Sequence, residues 1–174
     1  MSDAVRVRRW MADPAVIRFT VVVPGPEYGP LSPYSSEEAD QYLETLVRDP
    51  ARRSYAIEVR HGGPAVHIGN VGLKDYQPGR SEAECFIELG EQTVRGRGIG
   101  HRAMHMLLAI AFDELGLQSV RLGVFEFNAP AISLYRRLGF IDDGRYGWHY
   151  AEGRFWDVNA MRLDRKAWPI DASR

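Results

Sequence analysis

The sequence predicts an α/β (α+β) fold: one mixed sheet with flanking helices, in a single domain over residues 1–174. Three observations predict it. Apolar runs of strand character, bounded by Gly and Pro, occur at residues 54–60, 65–76, 83–89, 119–124 and 155–163. Helical spacing of apolar residues occupies 39–47, 99–115 and 129–138. Turn signals at His61-Gly62-Gly63-Pro64 and Glu152-Gly153-Arg154 place hairpins toward both ends of the chain, around strands that helices connect.

Composition narrows the function. A chain of 174 residues with 45% apolar and 26% charged residues suits a globular domain with a substantial core. A net charge of −1 argues against a large phosphate-neutralising surface, so no nucleic-acid partner is expected. The lone cysteine, Cys85, permits no internal disulfide and fits a reducing cytosol. Its place in an apolar run marks it as a small buried hydrophobe rather than a nucleophile. The first residues lack an apolar leader core, and no run approaches membrane-spanning length, so a cytoplasmic protein away from membranes is expected. No metal is expected either.

In chain order, Ala4 to Trp10 alternates Val5 and Val7 with Arg6 and Arg8, which predicts a first strand. Asp13 caps a short helix opened by Pro14. Residues 21–33 are rich in Pro and Gly and form a loop carrying Tyr28, with Tyr34 just after it. Ser35-x-x-Glu38 is a capping box, behind which Ala39, Tyr42, Leu43, Leu46 and Val47 recur at helical spacing. The acids Glu37, Glu38, Asp40 and Glu44 could attract a polyamine, or serve the helix dipole and solvent. His67 reads as a residue on a strand face. In the strand 83–89, Glu84, Phe86 and Glu88 share one face and Cys85, Ile87 and Leu89 the other; two carboxylates on one face of a central strand need partners or a function. Ile99, Ala103, Met106, Leu107, Ile110, Ala111 and Leu115 form the apolar stripe of the next helix, and Met104 and Met106 read as core. Gly116 stops it. Asn128 caps a helix with Pro130 in its first turn, Gly139 ends that helix, and Asp143-Gly144 marks a turn.

The stretch Val94-Arg95-Gly96-Arg97-Gly98-Ile99-Gly100-His101-Arg102 links a strand to a helix. Glycines at alternate positions allow positive φ and close approach of backbone to a ligand. The unpaired N–H groups at the helix start, beside the positive end of its dipole, suit phosphate or pyrophosphate. The string lacks the lysine of a Walker loop, and His101 stands where a dinucleotide fingerprint needs glycine. It fits [RQ]-x-x-G-x-[GA] as Arg95-x-x-Gly98-x-Gly100. Downstream, Asn128-x-x-Ala131-x-x-Leu134-Tyr135 leads to Gly139-Phe140.

Together these two segments resemble the GNAT superfamily of acyl-CoA-dependent N-acyltransferases over roughly residues 82 to 141. A looser likeness of residues 152–168 points to the branch of ribosomal-protein N-terminal alanine and spermidine acetyltransferases. The resemblance implies a mostly antiparallel twisted sheet with a splayed central parallel strand pair, here residues 84–90 beside 119–124. It implies acetyl-CoA as donor, its pyrophosphate on Arg95, Gly96, Arg97, Gly98, Ile99, Gly100 and His101, and its arm along Leu89 and Gly90. It leaves a homodimer open, and the acceptor as a small amine or a peptide N-terminus. A non-catalytic acyl-CoA sensor on the same fold is the alternative.

The chemistry then turns on the amine. At pH 7 a lysine-like amine, pKa about 10.4, costs about 4.6 kcal/mol to neutralise, whereas a peptide α-amine near 8 costs about 1.4 kcal/mol. A general base matters most for the first; Glu84 and Glu88 are the candidates, with Glu84 the better match to a superfamily carboxylate and Glu88 nearer the thioester. Tyr135 matches the motif tyrosine that protonates the departing thiolate, and Asn128 either bonds the CoA arm or only caps. Residues 24–35, the strand 65–76 and Trp148-His149-Tyr150 are expected to select the acceptor, while Asp157 matches a recurrent acidic position or caps.

Overall fold

The computed structural model describes residues 3–19, 33–60, 62–151 and 154–168. Six strands form one sheet in the order β1-β2-β3-β4-β6-β5: β1 Arg53–Val59, β2 Val66–Lys74, β3 Glu82–Leu89, β4 Ser119–Phe125, β5 Ile141–Ala151 and β6 Arg154–Asp164. All neighbours are antiparallel except β3 and β4, which are parallel. That is the mixed, mostly antiparallel sheet with one central parallel pair that the resemblance implies.

Helices cover both faces. On one, α1 (Asp3–Met11), α2 (Pro14–Ile17) and α3 (Ser36–Arg48) share a small core of Val7, Trp10, Met11, Val16, Ile17 and Ala39, with Tyr34, Tyr42 and Leu43 against it. On the other, α4 (Ile99–Ala109) and α5 (Ala129–Arg137) pack on the larger core, where Leu73, Cys85, Val120, Leu122 and Leu163 meet Met104, Leu107 and Leu108. The predicted caps form. The Asp13 carboxylate accepts the Ala15 N–H at 2.8 Å, and Ser35 and Glu38 complete the capping box of α3.

Residues 4–10 are a helix, not the expected strand. The alternation rested on only two valines, whereas Val7, Trp10 and Met11 lie at helical spacing and are buried; Val5 is exposed. Trp10 packs on Gly90 so closely that an added Cβ there would lie 2.0 Å from its ring. Its indole N–H donates to Glu91, which also pairs with Arg6 and Arg9, so α1 is fastened to the end of β3.

Two apolar stripes shift as well. In α4, Met104, Leu107 and Leu108 point inward, while Met106 is 68% exposed. Ile99, Ala103, Met106 and Ile110 line an open groove of about 780 Å³ between α4 and β1. In α3, Val47 is also exposed. The helix after the glycine turn closes in a π-helical turn, Ile110–Glu114, with the Leu115 N–H donating to Ile110 O at 2.9 Å. Asp143-Gly144 is a register irregularity inside β5, with Gly144 at φ +87°, rather than a turn between strands.

Candidate active site

Strand β3 organises the site because its two neighbours treat it differently. β2 pairs with it from Glu84 to Leu89, whereas β4 pairs with it only over Glu82–Glu84. Beyond Glu84 the parallel strands part while β4 stays paired with β6 to Phe125. The Gly90 N–H donates to Ile68 O at 3.0 Å, which fixes the phase of the β2–β3 ladder. By the alternation of antiparallel bonding, the backbone groups of Ile87 and Leu89 then point to the gap. The Leu89 carbonyl is taken by the Arg95 guanidinium at 2.9 Å. The Ile87 N–H and C=O and the Leu89 N–H open onto the gap, while the Gly90 N–H is bonded to Ile68 O.

The side chains of β3 divide as predicted. Glu84, Phe86 and Glu88 face the α1–α3 layer, and Cys85, Ile87 and Leu89 face α4 and α5. Glu84 is buried and its carboxylate meets Lys74 Nζ at 2.7 Å, its cross-strand partner in the register. Glu88 makes no ion pair among the described residues. Its Oε2 accepts a hydrogen bond from the Tyr42 hydroxyl at 3.1 Å. Its Oε1 is sealed from solvent and has no hydrogen-bond partner among the described residues. Burial pushes its pKa up to about 7, against the opposing influence of the Tyr42 hydrogen bond and the Arg95 charge. Asn70, opposite Glu88 in the register, and His67 complete a buried polar row: Asn70 Oδ1 lies 3.0 Å from His67 Nε2, and Asn70 Nδ2 is without a hydrogen-bond partner among the described residues. His67 sits edge-on to Trp10 at 4.9 Å, the strand-face residue anticipated.

Across the sheet, Tyr135 is buried on α5, its ring 5.8 Å from Phe140. Burial first, then the nearby Cys85, raises its pKa, so the phenol keeps its proton throughout the neutral range. Burial likewise pushes the Cys85 thiol up, consistent with an inert core residue. Asn128 caps α5, its Oδ1 accepting the Ala131 N–H at 3.3 Å. A Cβ added at Gly100 would sit 3.6–3.7 Å from Leu134, Ile87 and Leu89, so the start of α4, the end of β3 and α5 converge at one point.

The glycine turn has the form an anion cradle needs. Gly96 and Gly98 take φ of +75° and +77°, and Gly98 is the N-cap of α4 without a side-chain cap. The Arg102 N–H donates to Gly98 O at 3.1 Å as the first turn of α4 closes, which leaves the N–H groups of Ile99, Gly100 and His101 without helical partners. A Cβ at Gly96 or Gly98 would meet nothing within 4 Å, so the space over the turn is open. Arg97 and Arg102 are exposed beside it, and His101 faces His105 at 6.4 Å. Arg95 is the exception among the expected phosphate ligands: it also bonds Ala15 O at 3.3 Å, and so ties α2 to the end of β3. The turn and the gap together fit an acyl-CoA: free backbone donors for a diphosphate, then an opened strand pair for an extended arm.

A family model, described as an acetyltransferase (GNAT) domain, matches residues 1–141. The chain belongs to the GNAT acetyltransferases. Among relatives of this acetyltransferase, the spermidine N(1)-acetyltransferase of Vibrio cholerae is 26% identical over 133 residues, 75% of each chain. An N-acetyltransferase 9-like protein of Caenorhabditis briggsae is 25% identical over 143 residues, 78% of this chain and 68% of that one. The crystal structure of spermidine N-acetyltransferase from Vibrio cholerae, in complex with CoA and spermine, superposes with a TM-score of 0.77 at 22% identity, over 95% of this chain and 91% of that chain. At that identity the likeness is one of fold.

Sequence reasoning missed Tyr42 as a partner of Glu88, because it read Tyr42 only as part of an apolar helical stripe. It also missed the aromatic residues Phe19, Phe127 and Trp156 at the end of the gap. Of the expected acceptor-selecting residues, Tyr28 lies outside the described residues, as do the side chains of Trp148, His149 and Tyr150. Asp157 pairs with Arg145, and Tyr34 packs edge-on to Tyr42 at 6.4 Å.

Proposed function

We propose that this acetyltransferase moves an acetyl group from acetyl-CoA to a primary amine, with Glu88 as general base and Tyr135 as general acid. The observation that carries this reading is the buried Glu88 carboxyl on β3 beyond the point where β4 parts from it, with one oxygen unpartnered among the described residues; the buried phenol of Tyr135, near Cys85 on the other face of β3, supports it. Acetyl-CoA supplies an acyl group already activated as a thioester. The N–H groups of residues 99–101, with Arg97 and Arg102 beside them, hold its diphosphate. Ile87 offers one N–H and one C=O to the arm, and the Leu89 N–H is the donor for the carbonyl oxygen.

An amine entering from the α1–α3 side gives up its proton to the Glu88 carboxylate. Tyr135, on the other side, donates its proton to the leaving sulfur. Glu84 is assigned to the Lys74 ion pair and Asn128 to its cap, so neither takes a step. A base that titrates near 7 is matched to working pH, and that matching is worth about a hundredfold or more in rate.

The test is turnover of purified protein with acetyl-CoA and an amine panel, followed by release of free thiol. Tyr135→Phe is expected to lower kcat by about tenfold to a hundredfold, with acetyl-CoA still protecting the protein against heat. Unchanged turnover would remove Tyr135 from the mechanism, and tight acetyl-CoA binding without transfer to any amine would make the protein a sensor instead.

A further inference from the structure

A second concavity lies on the flank of α4 away from the β3–β4 gap. It runs between α4 and β1 with a volume of about 780 Å³, and among the described residues its walls hold none from β4 or α5. β1 is the edge of the sheet, so no further strand flanks it among the described residues. The floor is apolar: Ile57, Val59 and Val71 of the sheet face Ala103, Met106 and Ile110 of α4. Large apolar groups at its rim meet water, with Met106 68% and Tyr55 40% exposed.

The charge of this groove sits at one end. Ile57 pairs with Gly69, and Gly69 with Leu89, so Arg60, just past β1, lies where β3 runs into the glycine turn. Arg97 of that turn and Arg102 of the first turn of α4 line the same end. From there α4 runs back along the sheet, and Ile99 to Ile110 make an apolar wall about 16 Å long at 1.5 Å per residue. Three arginines stand in this lining against one acid, Glu58. None of the three makes an ion pair or side-chain hydrogen bond among the described residues, whereas Arg8, Arg48, Arg136 and Arg145 all have carboxylate partners.

Guanidinium groups without counter-ions at one end of an apolar trough suit an anionic head on an apolar body, and their forks match the two oxygens of a carboxylate. Size selects the kind of molecule. Small-molecule sites occupy about 300–1,000 Å³, whereas a specific macromolecular interface buries about 1,200 Å² or more, which one short helix face and one strand edge do not offer. A second copy joined edge to edge is disfavoured by charge, since its β1 would bring Arg53 and Arg60 against the arginines already there. We infer that the α4–β1 groove is a second ligand site, which takes a hydrocarbon-chain carboxylate with its head on Arg60, Arg97 and Arg102 and its chain along Ala103, Met106 and Ile110. Arg97 and Arg102 also flank the glycine turn, so the site is coupled to the donor site; that coupling rests on the acetyltransferase reading above. Phosphates on the turn and a carboxylate in the groove draw on the same two cations, so each ligand weakens the other by the same factor. A long-chain carboxylate therefore damps acetyl transfer.

The experiment is calorimetric titration of wild type, Arg60→Glu and Met106→Glu with decanoate, butyrate and decyltrimethylammonium. In wild type, decanoate should saturate one site and bind about tenfold or more tighter than butyrate, which lacks the chain, and than the cation, which lacks the head. Each substitution should weaken decanoate about tenfold. Both side chains are exposed and lie outside the gap and the turn, so melting temperature and acetyl transfer without decanoate should match wild type. Saturating acetyl-CoA should raise the decanoate Kd about fivefold or more. Decanoate no tighter than butyrate or the cation, or indifferent to both substitutions, overturns the inference. A decanoate Kd unchanged by bound acetyl-CoA overturns it as well. Protein that binds decanoate as expected but fails to bind acetyl-CoA would overturn the donor assignment instead and leave the groove site standing.

Discussion

Glu88 keeps a proton near neutrality because ionising it would leave Oε1 charged, dry and unbonded. Its folded pKa, about 7, lies above the ordinary carboxyl value, so the folded state binds this proton more tightly than the unfolded chain does. The stability it contributes is therefore complete below about pH 4 and is lost as pH rises through 7. By pH 8 the charge costs on the order of 3 kcal/mol. Glu88→Gln has no charge to bury. It should melt higher than wild type at pH 8 and close to it at pH 5, in parallel thermal scans. A variant less stable at both pH values would contradict the burial account. Both carboxylates on one face of β3 were legible in the sequence, but not which one is neutralised. That depends on the register that sets Lys74 opposite Glu84, and on Tyr42 reaching Glu88 from a helix 46 residues away. Arg95 was likewise identifiable as a motif residue, while its attachment to Leu89 and Ala15 is a product of tertiary packing.

At the scale of elements, the junction of β3 with α4 combines two glycines that do different work. Gly98 needs its left-handed backbone and has room above it. Gly98→Ala should cost about 1–2 kcal/mol in strain and weaken acetyl-CoA binding more than it lowers the melting temperature, as titration calorimetry and thermal scans would show. Gly90 needs the absence of a Cβ, because Trp10 occupies that space. Gly90→Ala should destabilise the fold by about 1–3 kcal/mol through forced displacement of α1. If Gly90→Ala melts like wild type, α1 is not seated as described. Helix ends were the most legible elements, since Asp13, Ser35, Glu38 and Asn128 act within a few residues of themselves. The first helix was not. A Val-Arg alternation over four residues fits a strand, and the burial of Trp10 against a glycine eighty positions on has no local signal. In α4, apolar residues occupy two adjacent faces, and hydropathy alone does not say that the Ile99–Met106 side opens to a groove.

For the whole molecule, the proposed function depends on one interruption in an otherwise continuous sheet. Four of the five strand pairings are antiparallel, and the single parallel one stops after three residue pairs. In the proposed mechanism, a carboxyl from the α1–α3 side and a phenol from the α4–α5 side act across that gap. The order of strands and helices was legible because hairpin turns and two motif segments punctuate the chain. The parting of β3 from β4 was an inference from resemblance, since pairing between residues thirty-seven apart leaves no periodicity to read. If the gap holds the reacting groups, the ratio of wild-type to Glu88→Gln activity should depend on pH, because ionisation of the amine itself affects both proteins and cancels. Measured as kcat/KM for one amine at saturating acetyl-CoA, that ratio should climb from near unity at about pH 5.5 to about a hundredfold at pH 8, with its midpoint near 7. A ratio that stays flat across the range would show that Glu88 is not the group accepting the proton.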